Sequence, residues 1–196
     1  MPVFGLTGNL GCGKSTALML LKKKGASIFD VDEKIHEYYK NKKGPIYKKV
    51  SALFPQVICS GAIDRRELGR IVFSDRKSLL KLETIVHPSA VRDLKSWVKN
   101  AKKFNRVCVA EVPLLFEKNL EGIFDAVILV NVKKSVLLNR IKNNLKLSAG
   151  KANARLKCFK PAAMKMKKAD FIINNSFGME TLKKEIDILW EKLKHN

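Results

Sequence analysis

The nonapeptide Gly8-Asn9-Leu10-Gly11-Cys12-Gly13-Lys14-Ser15-Thr16 constrains this chain more than any other feature. It fits the pattern G-x-x-x-x-G-K-[ST], and its setting gives the pattern meaning. Val3-Phe4-Gly5-Leu6-Thr7 ahead of it is a short apolar run stopped by Gly8, which predicts a buried strand. Behind it, Ala17, Leu18, Leu20 and Leu21 fall on helical spacing, and Gly25 is placed to cap the helix. Residues 26–29 read as a second short strand, ending at Asp30-Val31-Asp32. Strand, glycine turn, helix, strand is a βαβ unit, which implies a parallel sheet. Glycines let the backbone wrap a phosphate chain with its N–H groups inward, and the helix that follows aims its positive end at the same anion. On this pattern Gly8, Gly11, Cys12, Gly13 and Thr16 cradle a nucleotide. Lys14 reaches its β- and γ-phosphates, and the Ser15 hydroxyl ligates Mg²⁺.

Residues 33–103 read differently: helical segments broken at Gly44-Pro45, Phe54-Pro55, Gly61 and His87-Pro88, with no convincing strand. Asp64 and Ser74 are the candidate N-caps. Buried strands return at residues 106–110 and 126–130, separated by Pro113-Leu114-Leu115-Phe116-Glu117. A helix over residues 136–142 follows. A last strand at residues 171–173 precedes an amphipathic helix from Glu180, with Leu182, Ile186, Leu189, Trp190 and Leu193 on or near one face. Met164, Met166 and Trp190 read as packing residues.

Charge has to be read against this frame. The 196 residues carry 39 Lys+Arg and 18 Asp+Glu, a formal net charge of +21. That favours polyanionic partners, either nucleic acid or a phosphorylated small molecule. Only 8 of the basic residues are Arg, the side chain preferred for specific phosphate and base readout, so charge alone does not choose. Residues 133–168 hold 12 basic side chains and no acidic one, which is either a solvated face or a segment that closes over phosphates. A hydrophobic share of 46% excludes intrinsic disorder. No apolar run is long enough for a transmembrane helix. Cys12, Cys59, Cys108 and Cys158 show no metal-ligand spacing, and with no signal-peptide pattern the expectation is reduced thiols in a cytoplasmic protein.

Phosphoryl transfer also needs a group to take the acceptor's proton. Asp32 lies just past the second strand, at the edge where ligands of open parallel sheets bind. It can act as base, help hold Mg²⁺, or cap the helix that begins there; Asp30 competes for the first two roles. Glu111 ends a strand and is a weaker candidate metal ligand.

The phosphate-loop string together with Asp30-Val31-Asp32 resembles the dephospho-CoA kinase family. Further motifs follow in order: Gly61-Ala62-Ile63-Asp64-Arg65-Arg66-Glu67-Leu68, Leu82-Glu83 with His87-Pro88, Val112-Pro113-Leu114-Leu115-Phe116-Glu117, and Ala169-Asp170 with Ile172-Ile173 and Asn175. The resemblance implies an α/β, three-layer P-loop kinase fold with a five-stranded parallel sheet. Its core would be residues 1–32, 104–135 and 169–196, with a helical acceptor-binding insertion at 33–103 and a basic lid at 136–168. It implies ATP and Mg²⁺ as cofactors and phosphorylation of the ribose 3′-hydroxyl of dephospho-CoA. Asp32 would be the base and Lys14 its catalytic partner; Arg140 and Asn175 would join the phosphate loop around ATP. Asp32, Arg65, His87 and Leu115 would receive the acceptor. Arg65 and Arg66 otherwise read as exposed helix charges, His87 as a structural residue before Pro88, and Glu117 as a surface charge.

The departures sit in the lid. The family usually has Gln at Leu137 and at Phe159 and a second Arg at Asn144, while Arg155 and Lys165 match. Two other readings stand beside the first: a related kinase with another acceptor, and a drifted paralogue that binds nucleic acid through the basic lid. The expected partners are ATP and dephospho-CoA, with no membrane and no specific nucleic acid, in a monomer or weak homo-oligomer.

Overall fold

The computed structural model describes residues 2–104, 106–145, 156 and 159–195, excluding the side chains of 144 and 145. The chain divides into two compact units, residues 1–30 with 95–196, and residues 31–94.

The first unit is built on five parallel strands: β1 (Val3–Gly8), β2 (Ser27–Asp30), β5 (Cys108–Glu111), β6 (Ala126–Asn131) and β7 (Phe171–Asn174), in the order β2-β5-β1-β6-β7. Every residue of β1 and β5 is buried, as the continuous apolar runs require of a parallel sheet covered on both faces. On one face Phe4, Leu6, Val109, Ile128, Val130 and Ile173 pack against α1 (Lys14–Lys23) and the closing helix α8 (Met179–Lys194). Helix α1 ends as the sequence suggests, with Gly25 in the left-handed region at φ 105°. On the other face the central strand is bare: a Cβ on Gly5 would lie 2.7 Å from both Leu115 Cδ1 and Phe124 Cδ2. At the sheet edge, Trp97 packs on Phe29 with ring centroids 5.4 Å apart. Helices α6 (Lys134–Leu145) and α7 (Ala162–Met166) complete the described part of this unit.

The second unit contains α2 (Val31–Lys40), α3 (Pro45–Leu53), α4 (Arg65–Ser74) and most of α5 (Arg76–Ala101), around Tyr39, Val50, Phe54, Leu68, Val72 and Val86. It corrects the sequence reading in three places. A two-stranded antiparallel hairpin, β3 (Ile58–Cys59) and β4 (Ala62–Ile63), occupies a stretch expected to hold no strand. Its two turn residues, Ser60 and Gly61, have φ of 49° and 73°, the left-handed pair that fits a tight hairpin to strand twist. Second, His87-Pro88 does not break a helix: α5 runs 26 residues through it. Proline there denies the Thr84 carbonyl its partner, a cost of about 3 kcal/mol, but Val86, Ala90 and Leu94 bury one continuous stripe and hold the helix through the defect. Third, the N-cap of α5 is Asp75 and not Ser74. The Asp75 carboxylate accepts the Lys77 and Ser78 amides at 3.2 and 2.9 Å, while Ser74 bonds back to the Ile71 carbonyl. Asp64 caps α4 as expected, accepting from the Arg66 and Glu67 amides.

Candidate active site

Because all five strands of the sheet are parallel, their carboxyl ends share one edge, bringing Gly8, Asp30, Glu111, Asn131 and Asn174 to it. In register, Asp30 stands opposite Glu111, and Glu111 opposite Leu6.

The loop from Gly8 to Gly13 has its shape dictated by contact. A Cβ at Gly8 would stand 2.5 Å from the Val130 carbonyl oxygen of the neighbouring strand, so no other residue fits. Gly13 has φ 92°, and a Cβ there would collide with Asn175 Nδ2. That amide donates to the Cys12 carbonyl at 2.8 Å, while the Asn175 backbone N–H bonds Asn131 O, also at 2.8 Å. Asn175, expected among the ATP ligands, is therefore placed as a buried brace on the loop. The Arg140 guanidinium lies on the same side, Nη1 4.0 Å from the position of a Cβ on Gly13. Gly13 supplies no side-chain cap to α1, which leaves the first amides of that helix as donors of the kind an anion takes; beside them Lys14 Nζ donates to Asn9 O at 3.4 Å. Cys12 is buried beneath, and burial pushes its thiol up from the ordinary range, with Lys14 opposing.

The Ser15 hydroxyl donates to Glu111 Oε1 at 3.3 Å, joining the loop to the strand edge. Hydroxyl and carboxylate are hard oxygen donors of the kind Mg²⁺ takes alongside substrate phosphates. Among the described residues no three or more His, Cys, Asp or Glu side chains are grouped so as to hold a metal ion. Glu111, the weaker candidate by sequence, is the carboxylate placed beside Ser15.

The lid departures fall as follows. Leu137 is a core residue, its Cδ1 3.6 Å from a Cβ position on Gly11, so an apolar face of α6 supports the loop where the family has Gln. Phe159 lies with its ring centroid 5.0 Å from Lys165 Nζ. Arg155 and the side chain of Asn144 are outside the described residues.

Two expectations are overturned nearby. Met164 and Met166 are solvent-exposed, while Lys165 between them is 1% exposed and paired with Glu117 at 2.8 Å. Glu117 is thus no surface charge: it also accepts the Lys160 amide at 2.7 Å. Burial pulls the Lys165 ammonium below the ordinary lysine range, and Glu117 works against that pull. Hydropathy misplaced this pair because one short helical turn of α7 buries the lysine and not its apolar neighbours. Leu115, expected to receive the acceptor, is fully buried, and its side chain packs over Gly5 against the sheet.

In the second unit, Asp32 is exposed in the first turn of α2, two residues after β2 ends, where a carboxylate suits the positive end of the helix. Tyr39, buried on the same helix, has its phenol pushed up to about 12, mainly by burial, with Arg65 opposing and Asp32 adding. Both charges thus act on one buried phenol, a coupling that sequence reasoning missed. His87 lies in α5, its Nδ1 3.8 Å from Glu83 Oε2.

A glycine loop opening a helix at the carboxyl edge of a parallel sheet, with lysine and serine at its mouth, defines the class of P-loop phosphate-binding proteins. The profile of the dephospho-CoA kinase family matches residues 2–181. A dephospho-CoA kinase of Bartonella quintana is 32% identical, covering 100% of both chains. The solved dephospho-CoA kinase from Campylobacter jejuni aligns with TM-score 0.70 at 26% identity, over 100% of this chain and 98% of that one. A shikimate kinase from Bacteroides thetaiotaomicron, at 16% identity and TM-score 0.55 over 98% of each chain, shares the fold alone. The chain belongs to the dephospho-CoA kinase family. It is a P-loop kinase, of the family that performs the last step of coenzyme A biosynthesis.

Proposed function

We propose that this chain catalyses ATP + dephospho-CoA → ADP + CoA, the γ-phosphoryl group passing to the ribose 3′-hydroxyl. The observation that carries the reading is the phosphate loop itself: Gly13-Lys14-Ser15 is seated on the sheet edge with Glu111 and Arg140 beside it, in a chain that matches its family over nearly its whole length.

Catalysis here is positioning and charge neutralisation. Loop amides from Gly8 to Thr16 and the α1 N-terminus hold the phosphates, and Lys14 and Arg140 offset charge on the β- and γ-groups. Ser15 and Glu111 are the residues that would hold Mg²⁺, which would supply positive charge to offset the negative charge of the phosphates. Asp32 takes the proton of the 3′-hydroxyl as its oxygen bonds to the γ-phosphorus, the bond to the β-phosphate oxygen breaks, and ADP leaves. Arg65 and His87 are assigned to the acceptor's own phosphates and nucleoside. No helix of the described residues is long and apolar enough to cross a membrane, and the described cysteines Cys12, Cys59 and Cys108 are free, which supports a cytoplasmic enzyme; we assign it as a monomer or weak homo-oligomer.

The test is a coupled ADP-release assay of the full chain with ATP and dephospho-CoA, run beside nucleoside acceptors. Turnover with dephospho-CoA is expected to exceed all others. Preference for a nucleoside, or no turnover with any acceptor, overturns the reading.

A further inference from the structure

Behind the phosphate loop lies a cavity of about 10 Å³, the room of a single water, whose wall includes Asn9 and Cys12 of the loop and Lys165 of α7. Lys165 belongs to the loop's electrostatic surroundings: its charge acts on both Cys12 and Lys14. Glu117, its partner at 2.8 Å, does not line the cavity. Lys165 thus shares the wall of that cavity with the loop, while the Glu117 carboxylate accepts the Lys160 amide. The pair's surroundings restrain it further, since Lys160 Nζ donates to Phe116 O at 2.5 Å and the Phe159 ring lies 5.0 Å from the Lys165 ammonium.

A buried ion pair is a poor way to gain stability, because apolar residues of the same volume serve as well or better. Merely joining residues 113–119 to α7 does not call for a charge. A fixed cation in a low-dielectric site next to a polyphosphate cradle does something an apolar pair cannot: it deepens the positive potential where negative charge gathers. We propose that Lys165, fixed by Glu117, is a positioning residue for the nucleotide, holding a buried cation behind Asn9 and Cys12 so that the loop binds phosphates more tightly. The inference rests on the reading of that loop as the ATP site.

The experiment uses the full chain and ADP as probe, with calorimetric Kd, melting temperature and steady-state kinetics. Lys165→Met/Glu117→Gln removes both charges and keeps an acceptor for the Lys160 amide. The double variant should melt within a few degrees of wild type, bind ADP about tenfold more weakly, raise KM for ATP to match, and leave KM for dephospho-CoA within twofold. An ADP Kd within twofold of wild type overturns the inference. Wild type that binds no ADP overturns instead the functional reading beneath it. If the double variant melts too low for calorimetry, the ADP-induced rise in melting temperature at pH 6.5 decides between the single variants. It should shrink in Lys165→Met and persist in Glu117→Gln; equal loss in both means the pair is only a structural clamp.

Discussion

In the sheet unit the groups proposed to meet phosphate are held by main chain and by buried partners: Gly8 against Val130 O, Asn175 on Cys12 O, Ser15 on Glu111. In the helical unit, Asp32 and Arg65 are exposed side chains at helix starts whose charges both act on the buried phenol of Tyr39. Phosphate chemistry is the same for every ATP and rewards a rigid cradle built from backbone. On the proposed reading, recognition of an acceptor falls to side chains that can change while the helices under them stay.

That contrast is sharpest at the chemistry itself. Lys14→Ala and Asp32→Asn should each lower CoA formation by about a thousandfold or more with little change in melting temperature. Asp32→Asn turning over within tenfold of wild type would remove the base from the helical unit and break the division. Next, Gly13→Ala combines a strained φ with a collision at Asn175, and Asn175→Ala strips a buried bond from the loop. The second should cost about 1–3 kcal/mol in stability. Both should raise the ADP Kd, read by calorimetry, while leaving the helical unit folded. A smaller effect is expected from Asp64→Ala, about 0.5–2 kcal/mol from the lost cap of α4. Hydrogen exchange should place that loss in residues 65–74, with ADP affinity unchanged; a weakened ADP site would show the two units to be energetically one.

The smallest effect is a pH dependence in the helical unit. The Ser78 hydroxyl, with the Ser78 and Lys77 amides, holds the Asp75 carboxyl below the ordinary aspartate range. A depressed carboxyl stabilises the fold fully above the unfolded pKa of about 3.9, and that contribution fades as pH falls through the folded value. Asp75→Asn should keep most of the cap and flatten the acid limb of a melting-temperature profile below about pH 4. An unchanged limb would mean that Asp75 does not report on α5.

Legibility in the sequence follows the same line. The βαβ start, the five strands and the loop could be read because parallel strands are apolar throughout and because close backbone approach admits only glycine at Gly8. The β3–β4 hairpin was hidden because two-residue strands show no alternation, and its turn signal, Ser60-Gly61, reads equally as a break. Pro88 misled because local propensity points to a helix end, while the stripe Val86, Ala90, Leu94 is a tertiary fact. At the site, Ser15 and Lys14 were legible from spacing. Glu111 as the neighbour of Ser15 needed the β1–β5 register, and the burial of Lys165 between two exposed methionines needed the pairing with Glu117 across the fold.

The bare backbone of Gly5 has a consequence for how this sequence can evolve. With Leu115 and Phe124 both within 2.7 Å of where a methyl group would go, any first substitution at position 5 has to displace two neighbours at once. Gly5→Ala becomes acceptable only in a lineage that has already shortened the side chain at 115 and reshaped the one at 124, and each of those steps alone opens a cavity in the sheet unit. The three positions are therefore coupled through one packing contact, and this small patch under the central strand changes most easily when all three change together.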